Sequence, residues 1–305
     1  MLDIVFSTNE FFAEHCCVAI TSLLINNPDE KIRIHLLCIE LSQNSIDVIS
    51  AQCKSYNAEL NILVLHVDMF KGFPPAGTYS LACYSRLFIT SLLPSDVNKV
   101  LYLDCDMIVR SAIKELWETS IDGYSIAAVP DTHVAAKIAS DSMGLDLSDS
   151  YINSGMLLIN LDYWRQHEIE KRFISFLKSR KEIRLPDQDT INYVLSGSIK
   201  ILHPRYNAQA SYFVFPTPVP ATQKKYIKEL FHNAVIAHFS GGVKPWHRGC
   251  VNPYKRDYQI YRNKTPYRNN TLMPMSAIER VKTLFIFGVR CMKGLIARAL
   301  SYTYN

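Results

Sequence analysis

The sequence predicts an α/β protein with a mostly parallel central sheet. Short apolar runs typical of strands alternate with helix-length segments from the N-terminus onward, which is the pattern of βαβ units. The run at residues 99–109, KVLYLDCDMIV, is almost continuously apolar, as expected of a strand buried on both faces. The 305 residues, 48% hydrophobic and 20% charged, are enough for one large or two modest globular domains.

The elements of the first third follow one another regularly. Apolar β-type runs predict three strands, at residues 3–7, 31–39 and 61–67. Helical patterns lie between and after them, at residues 11–26, 45–56 and 82–92. The glycine- and proline-containing segment 72–77 predicts a loop, and Pro94 predicts the end of the third helix.

The remaining two thirds continue the alternation with longer polar excursions. Further strand-like or apolar runs lie at residues 99–109, 125–129, 151–161, 200–202 and 234–239. Helical patterns lie at residues 164–179 and 187–195, and a polar helix and loop are expected at 132–150. The stretch 206–220 is aromatic and rich in proline.

The placement of glycine excludes two common nucleotide-binding folds. The chain has 11 glycines, and the first of them is Gly72. No glycine-rich loop can therefore follow the first predicted strand, which excludes the Rossmann and P-loop folds. A phosphate bound near the N-terminus must be held in another way.

The cysteines and the N-terminus predict a reducing, cytoplasmic environment. None of the eight cysteines forms a C-x-x-C pair, so neither a zinc site nor a thioredoxin-like motif is indicated. The start, MLDIVFSTNE, lacks the basic region and the long apolar stretch of a signal peptide. The late apolar run at residues 284–289 is far too short to span a bilayer.

Asp104 and Asp106 interrupt the apolar run 99–109. Residues i and i+2 of an extended chain face the same side, so the two carboxylates are expected to converge. Burying two like charges is costly unless a cation neutralises them, and a hard divalent ion such as Mg²⁺ or Mn²⁺ is the natural partner. Two solvated acids at a strand end are the alternative, and the D-x-D spacing alone does not decide between them.

His238 ends the strand-like segment AVIAH and precedes FSGGVKPW. A histidine there can supply nitrogen to a metal, and Mn²⁺ accepts mixed oxygen and nitrogen ligands better than Mg²⁺ does. Gly241 and Gly242 allow the backbone to approach a ligand closely, and Lys244 is a point charge suited to a phosphate. A single histidine is more often a core residue, but Lys244 six positions later favours a binding site.

Polar residues also follow other apolar runs. Asp187, Gln188 and Asp189 open a predicted helix, where acids favour the helix dipole, and we assign this structural role to Asp189. Gln188 is a poor capping residue, which indicates a side chain directed into a site. Asp131 and Asn153 are suited to bind hydroxyl groups, although each taken singly fits a structural role better.

Six segments of the chain form a more specific pattern. In order they are FSTNEFF at 6–12, YSR at 84–86, LYLDCDMIV at 101–109, YINSGMLLINLDYWR at 151–165, DQDTIN at 187–192 and HFSGGVKPWH at 238–247. Together they resemble glycosyltransferase family 8, in particular bacterial lipopolysaccharide α-galactosyltransferases and glucosyltransferases, over about residues 1–260. The resemblance implies a GT-A-type fold, a UDP-sugar donor, Mn²⁺, and transfer with retention at the anomeric carbon.

The resemblance also implies a role for each matching residue. The metal ligands would be Asp104, Asp106 and His238. The contacts to the nucleotide, its diphosphate and the ion would be Ser7, Thr8, Asn9, Asp104, Cys105, Gly241, Gly242 and Lys244. The catalytic residues around the donor sugar would be Arg86, Asp131, Asn153, Asp187 and Gln188, with Gln188 in the position beneath the anomeric carbon.

One departure from the family concerns the base of the nucleotide. Relatives often carry a D-D-N-like run after the first strand, where this chain has Thr8-Asn9-Glu10-Phe11. Asn9 can still form a hydrogen bond to the edge of the base, and the ring of Phe11 or Phe12 can stack on the base. The uridine preference therefore follows from the family and is weakened by this change.

The function implied is a retaining transferase that moves a hexose from a UDP-sugar to a lipopolysaccharide- or lipooligosaccharide-type acceptor. Galactose is favoured over glucose. The enzyme would depend on Mn²⁺, with Mg²⁺ as the alternative ion. Because glutamine is a weak nucleophile, we expect a front-face displacement and not a covalent intermediate on Gln188. One alternative function is a membrane-associated nucleotide-sugar-binding protein without turnover. Another is a sugar nucleotidyltransferase, which would require the N-terminal glycine-rich loop that this chain lacks.

The C-terminal region differs in charge from the rest of the chain. Residues 251–305 carry ten basic and two acidic side chains, whereas residues 1–250 have a small acidic excess. Within 276–305, apolar residues recur at helical intervals with Lys and Arg between them, which is typical of an interfacial helix on an anionic membrane. A helix packed on the body is the alternative. We expect a catalytic domain at 1–250, a membrane-associating segment at 251–305 on the inner face of the bacterial cytoplasmic membrane, and no nucleic-acid partner.

Overall fold

Two sheets are seen in the computed structural model, which describes residues 1–76, 80–132, 151–213, 219 and 221–274. The strands are β1 Leu2–Asn9, β2 Ile32–Ile39, β3 Glu59–Val64, β4 Lys99–Leu103, β5 Met107–Val109, β6 Ile126–Pro130, β7 Ile152–Asn160, β8 Ile199–Ile201, β9 Ala208–Gln209 and β10 Ile236–His238. A seven-stranded sheet has the order β3-β2-β1-β4-β7-β6-β8, and a three-stranded sheet has the order β5-β10-β9.

Helices cover both faces of the larger sheet. The described α-helices are α1 Ala13–Ile25, α2 Gln43–Ser55, α3 Ile89–Leu92, α4 Lys114–Trp117, α5 Leu161–Gln166, α6 Ile169–Lys178, α7 Pro186–Val194, α8 Ile227–Asn233 and α9 Lys255–Arg262. Ile4 and Phe6 of β1 belong to the hydrophobic core shared with α1 and α2. Val5, on the opposite face of the strand, belongs to the core that contains Trp164 and Phe173 of α5 and α6.

The strand directions confirm the predicted α/β class with a mostly parallel sheet. β1 is parallel to β2 and to β4, β2 is parallel to β3, and β6 is parallel to β8. β7 runs antiparallel to its neighbours β4 and β6. Because β2 and β4 lie on opposite sides of β1, a crevice opens at the carboxyl ends of β1 and β4, where open α/β sheets bind their ligands.

The prediction of one strand over residues 99–109 is wrong. β4 ends at Leu103, and the chain turns through the next three residues into β5, which belongs to the smaller sheet. A continuous strand would direct Asp104 and Asp106 onto a helix-covered face of the sheet, at a high desolvation cost. The turn lets both carboxylates converge on the crevice instead.

Three other predicted elements differ in detail. The helix expected at 82–92 is a 3-10 helix over Leu81–Phe88 that continues as α3, and an apolar pattern does not distinguish these helix types. The helix expected at 164–179 is divided into α5 and α6, because Glu168 between them adopts a left-handed φ of 50°. The strand expected at 61–67 begins and ends earlier, as β3.

The first part of the predicted C-terminal segment packs on the rest of the described chain. Tyr258 of α9 is 1% exposed and bonds to His15 of α1. Arg262, also on α9, donates from Nε to Glu14 Oε1 of α1 at 2.7 Å. Part of the basic charge of this region is therefore used to fix α9 on the protein.

Several predictions fall wholly or partly outside the described residues. These are the tail helix at 276–305, nearly all of the segment 132–150, and parts of the segments 72–77 and 206–220. Within the described ranges, no helix combines the length and the apolar character needed to cross a membrane. The seven described cysteines are free thiols.

Candidate functional site

A cleft of about 800 Å³ opens at the carboxyl ends of β1 and β4. The residues that the sequence predicted for metal, nucleotide and sugar binding all line it, although they are spread from residue 7 to residue 244. They are Ser7, Thr8, Asn9, Arg86, Asp104, Cys105, Asp106, Asp131, Asn153, Asp187, Gln188, His238, Gly241, Gly242 and Lys244. The fold therefore brings the whole predicted set together, while the role of each residue stays a prediction.

Three candidate metal ligands meet on one wall of this cleft. One ligand atom from each of Asp104, Asp106 and His238 lies within 4.8 Å of the others. The aspartates come from the turn between β4 and β5, and His238 ends β10, which pairs with β5 and places His238 opposite Met107. Two carboxylates and one imidazole fit Mn²⁺ or Mg²⁺ chemically.

Gly155 of β7 lies against two of these candidate ligands, Asp104 and His238. A Cβ atom built at this position would lie 2.6 Å from His238 Cε1 and 2.8 Å from both Asp104 Oδ2 and Met107 Cε. Contacts this short do not occur at real Cβ atoms. Any larger residue would therefore displace a ligand, so the position requires glycine.

Arg86 partly neutralises Asp104. Its Nη2 donates to Asp104 Oδ1 at 2.8 Å, its Nη1 lies 3.1 Å from Asp187 Oδ2, and the Tyr102 hydroxyl donates to Asp104 Oδ1 at 3.0 Å. Burial raises the pKa of Asp104; Arg86 opposes this rise, and the nearby charge of Asp106 adds to it. A divalent ion beside both aspartates would relieve this repulsion.

Lys244 keeps Asp106 ionised. Its Nζ donates to Asp106 Oδ2 at 2.5 Å and to the Phe239 carbonyl oxygen at 2.9 Å, and His238 Nε2 lies 3.3 Å from Asp106 Oδ1. Burial alone would raise the pKa of Asp106, but Lys244 and His238 outweigh it and hold this pKa well below its usual range. Asp106 therefore presents a full negative charge, with a cationic side chain directly beside it.

A network of amides and carboxylates forms another wall of the cleft. Gln188 Oε1, on α7, accepts from Asn153 Nδ2 and from the Ser154 backbone N–H, each at 3.1 Å. Gln188 Nε2 and Asn153 Nδ2 donate to Asp131 Oδ2 at 3.0 and 3.1 Å. Asp187 Oδ2 accepts from the Ser154 hydroxyl at 2.7 Å. These fixed donors and acceptors suit a ligand with several hydroxyl groups.

Asn9, at the end of β1, already forms hydrogen bonds within the protein. Asn9 Oδ1 accepts from the Phe12 backbone N–H at 3.2 Å, and Asn9 Nδ2 donates to Ser80 Oγ at 3.0 Å. Phe12 lines the cleft, whereas the ring of Phe11, 63% exposed, is not part of its lining. Of the two aromatic residues considered for base stacking, Phe12 is therefore the better placed.

Trp246 supports the loop that carries Lys244. Its ring stacks on His15 of α1, with ring centroids 3.4 Å apart and planes inclined by 5°. Burial lowers the pKa of His15 to about 3, so this imidazole is neutral near pH 7. The His15 Nδ1 atom lies 2.8 Å from the Tyr258 hydroxyl, which ties the stack to α9.

Sequence reasoning missed three polar residues at or behind this site. Tyr102 lies two residues before Asp104, and the alternation of side chains along β4 was a signal that the two share a face. Ser154 and Asn207 stand in an apolar run and in an aromatic stretch, where nothing in the pattern marks them. Their roles depend on partners that are distant in sequence.

Asp189 has the structural role predicted for it. Its Oδ2 accepts from the Leu185 backbone N–H at 3.0 Å, and its Oδ1 accepts from the Tyr151 hydroxyl. The side chain therefore fixes the start of α7 to the residue before β7. This keeps Gln188 directed into the cleft.

Comparison with known proteins identifies the family. Residues 3–250 match the model of glycosyl transferase family 8. The chain belongs to glycosyltransferase family 8. It is 30% identical over 252 residues to a Haemophilus influenzae protein to which glycosyltransferase activity is ascribed, covering 82% of this chain and 74% of that protein. It is 24% identical over 272 residues to lipopolysaccharide 1,2-glucosyltransferase of Escherichia coli K12, covering 88% of this chain and 80% of that enzyme.

A solved structure extends this family assignment to the fold. The galactosyltransferase LgtC, crystallised with donor and acceptor sugar analogs, matches 92% of this chain and 100% of its own, with a TM-score of 0.78 and 26% identity. The family inferred from the six motifs and the GT-A fold are therefore confirmed. Homologues with this fold imply a nucleotide-sugar donor and a divalent metal.

A substitution at Gly155 tests whether Asp104 and His238 bind a metal ion. We expect Gly155→Ala to weaken Mn²⁺ binding roughly tenfold or more, the scale of changes that disturb the surroundings of metal ligands. The reason is that the added methyl group must push His238 or Asp104 out of place. Calorimetric titration of the donor-free protein with Mn²⁺ measures this, with thermal unfolding as the control for folding. Wild-type affinity in a folded variant would contradict this account of the ligand cluster.

Proposed function

We propose that this protein transfers a hexose, with retention, from a UDP-sugar to a lipopolysaccharide- or lipooligosaccharide-type acceptor, and that it depends on Mn²⁺. The observation that carries the proposal is the convergence of Asp104, Asp106 and His238 beside Lys244, together with an adjoining wall built from Asn153 and Gln188. One side of the cleft thus suits a metal-bound diphosphate and the other suits a sugar. The family match limits the chemistry to glycosyl transfer.

The ion would be held by Asp104, Asp106 and His238. The lack of a side chain at Gly155 supports this fit, because it leaves room for Asp104 and His238 to approach each other. The nitrogen ligand favours Mn²⁺ over Mg²⁺, which remains the alternative. When bound, the ion supplies positive charge beside the leaving diphosphate.

The diphosphate would be held by Lys244 and by the backbone of Gly241 and Gly242. Lys244 Nζ already lies beside Asp106, so an anion attached to the ion would be within its reach. Gly241 has a φ of 93°, a conformation that favours glycine and lets this loop lie flat against a ligand. The loop thereby replaces the glycine-rich phosphate loop that the chain lacks.

The reaction would proceed by front-face displacement. The acceptor hydroxyl oxygen would bond to the anomeric carbon on the face from which UDP leaves, while its proton passes to the departing phosphate. Gln188 Oε1 already accepts two hydrogen bonds, and Asp187 is paired with Arg86 and Ser154. Both side chains are therefore weak nucleophiles, which argues against a covalent intermediate. Their role would be to bind and orient the sugar, together with Asp131 and Asn153.

Galactose is the hexose that we favour over glucose. The galactosyltransferase LgtC matches nearly the whole of this chain. The two sugars differ in the orientation of one hydroxyl group, so the choice depends on a few contacts to that group. The carboxylates of Asp131 and Asp187 and the amides of Asn153 and Gln188 are the available partners.

The acceptor would be presented at a membrane surface. We assign the catalytic function to residues 1–250 and the membrane contact to the segment 251–305, with the basic amphipathic part at 276–305 doing the binding. Residues 251–274 would then join the two, since α9 is fixed on α1. The protein would act in the cytoplasm, on the inner face of the bacterial cytoplasmic membrane.

Donor hydrolysis by the purified protein tests the proposed reaction. We expect slow UDP release from UDP-galactose in Mn²⁺, less from UDP-glucose, and none with EDTA. Asp106→Asn should lower the rate roughly a hundredfold or more, because charge stabilisation at the leaving group is lost. Asp162→Asn, an exposed aspartate on α5, is the matched control and should not change it.

Two outcomes would contradict the proposed reaction. UDP release that persists in EDTA would exclude the metal-dependent chemistry. Tight UDP binding without release from either donor, even with lipooligosaccharide present, would favour the nucleotide-sugar-binding protein without turnover.

Liposome co-sedimentation tests the membrane contact separately. The full chain should sediment with anionic liposomes and not with neutral ones, and a variant truncated at Met275 should stay in the supernatant. The reason is that the truncation removes the basic amphipathic segment. Equal sedimentation of both chains would contradict a role for the tail.

A further inference from the structure

Asn207 lies behind the metal ligands and is completely buried. It follows the 3-10 helix Pro204–Tyr206 and immediately precedes β9, which pairs with β10 next to His238. Its side chain contacts the candidate metal ligand His238 and also Asn153, which belongs to the wall of amides and carboxylates. Asn207 Oδ1 lies 3.0 Å from His238 Nδ1, and Asn207 Nδ2 donates to Asn153 Oδ1 at 2.9 Å. Asn207 therefore bridges the two halves of the site.

A backbone group fixes the direction of every hydrogen bond in this bridge. The Gly155 N–H donates to Asn153 at 3.1 Å, and a backbone N–H can only donate, so the Asn153 atom that receives it must be the carbonyl oxygen. The Asn207 atom facing the same oxygen must then be the amide nitrogen. The remaining atom of Asn207 is its oxygen, which requires a proton on His238 Nδ1.

The protonation of one imidazole nitrogen determines what the other can do. With a proton on Nδ1, only Nε2 can give a lone pair to a metal ion, and Nε2 lies 3.3 Å from Asp106 Oδ1. Metal binding through Nε2 needs this placement of the Nδ1 proton. The same Asn207 amide also leaves Asn153 Nδ2 free to donate to Gln188 and Asp131.

We propose that Asn207 is a positioning residue that sets the tautomer of His238 for metal binding and, through Asn153, aligns the wall that receives the donor sugar. This inference rests on the proposed metal-dependent glycosyl transfer. Asn207 itself touches neither ion nor sugar, since it lies outside the cleft lining. Its effect passes through two hydrogen bonds with different consequences, and substitutions can separate them.

Two substitutions separate these bonds. In Asn207→Asp, the carboxylate still accepts from His238 Nδ1 but presents an acceptor to Asn153 Oδ1, so only the sugar-side bond is lost. In Asn207→Leu, a side chain of similar size removes both bonds. Asn27→Leu is the matched control, since Asn27 is a buried asparagine that bonds Ile113 and Leu23 away from the cleft.

Mn²⁺ affinity and kinetics are measured on the full chain, the first by calorimetry without donor and the second by UDP release. We expect Asn207→Leu to weaken Mn²⁺ binding by roughly 10- to 100-fold, the usual effect of removing a partner behind a histidine ligand. Asn207→Asp should bind Mn²⁺ as tightly as wild type, within about threefold, or more tightly, because the carboxylate still accepts from His238. Its kcat should fall at least tenfold, because the hydrogen bond to Asn153 is lost. Asn27→Leu should lower the unfolding temperature without changing Mn²⁺ affinity.

The outcomes distinguish this inference from the proposed function. Wild-type Mn²⁺ affinity in a folded Asn207→Leu, or equal losses of affinity in both Asn207 variants, would overturn the inference alone. If Asn207→Leu does not fold, loss of Mn²⁺ affinity in folded Asn207→Asp still overturns it. Wild-type protein that binds no divalent ion would overturn the metal site of the proposed function and this inference with it.

Discussion

The arrangement of charge around Asp104 and Asp106 is the constraint on which the site depends. Two carboxylates held close together at the end of a buried strand are stable only with positive charge nearby. Arg86 supplies it on the side of Asp104 and Lys244 on the side of Asp106. Each of these cations also faces a region that a ligand would occupy, so the groups that stabilise the fold are those that would bind the donor.

β7 organises the rest of the cleft because it meets both walls. Gly155 allows the ligand cluster to close, and the preceding residues Asn153 and Ser154 bond to Gln188. Three consecutive residues of β7 therefore contact both the amide and carboxylate wall and the candidate metal ligands. Asn207 adds a second connection from behind, so a change on one side is transmitted to the other through fixed amides.

Much of the fold and of the site follows from sequence because both depend on local patterns. The alternation of elements predicts the sheet, and the residues after β1 and β4 converge because the carboxyl ends of these parallel neighbours lie at one edge. His238 joins them from the smaller sheet, through the pairing of β10 with β5. The break after Leu103 was not predictable, since it depends on which sheet β5 joins. Asn207 was not predictable either, because its role exists only through contacts with Asn153 and His238, 54 and 31 residues away.

A crystal structure of the protein with Mn²⁺ and UDP would show directly whether Asp104, Asp106, His238 and Lys244 hold a metal-bound diphosphate. We expect an ion bound to Asp104, Asp106 and His238 Nε2, with Lys244 Nζ moved from Asp106 to the diphosphate. This exchange is expected because the ion takes over the neutralisation of Asp106 and the diphosphate brings new negative charge. An ion bound elsewhere, or a diphosphate held without Lys244 while this lysine still pairs with Asp106, would contradict it.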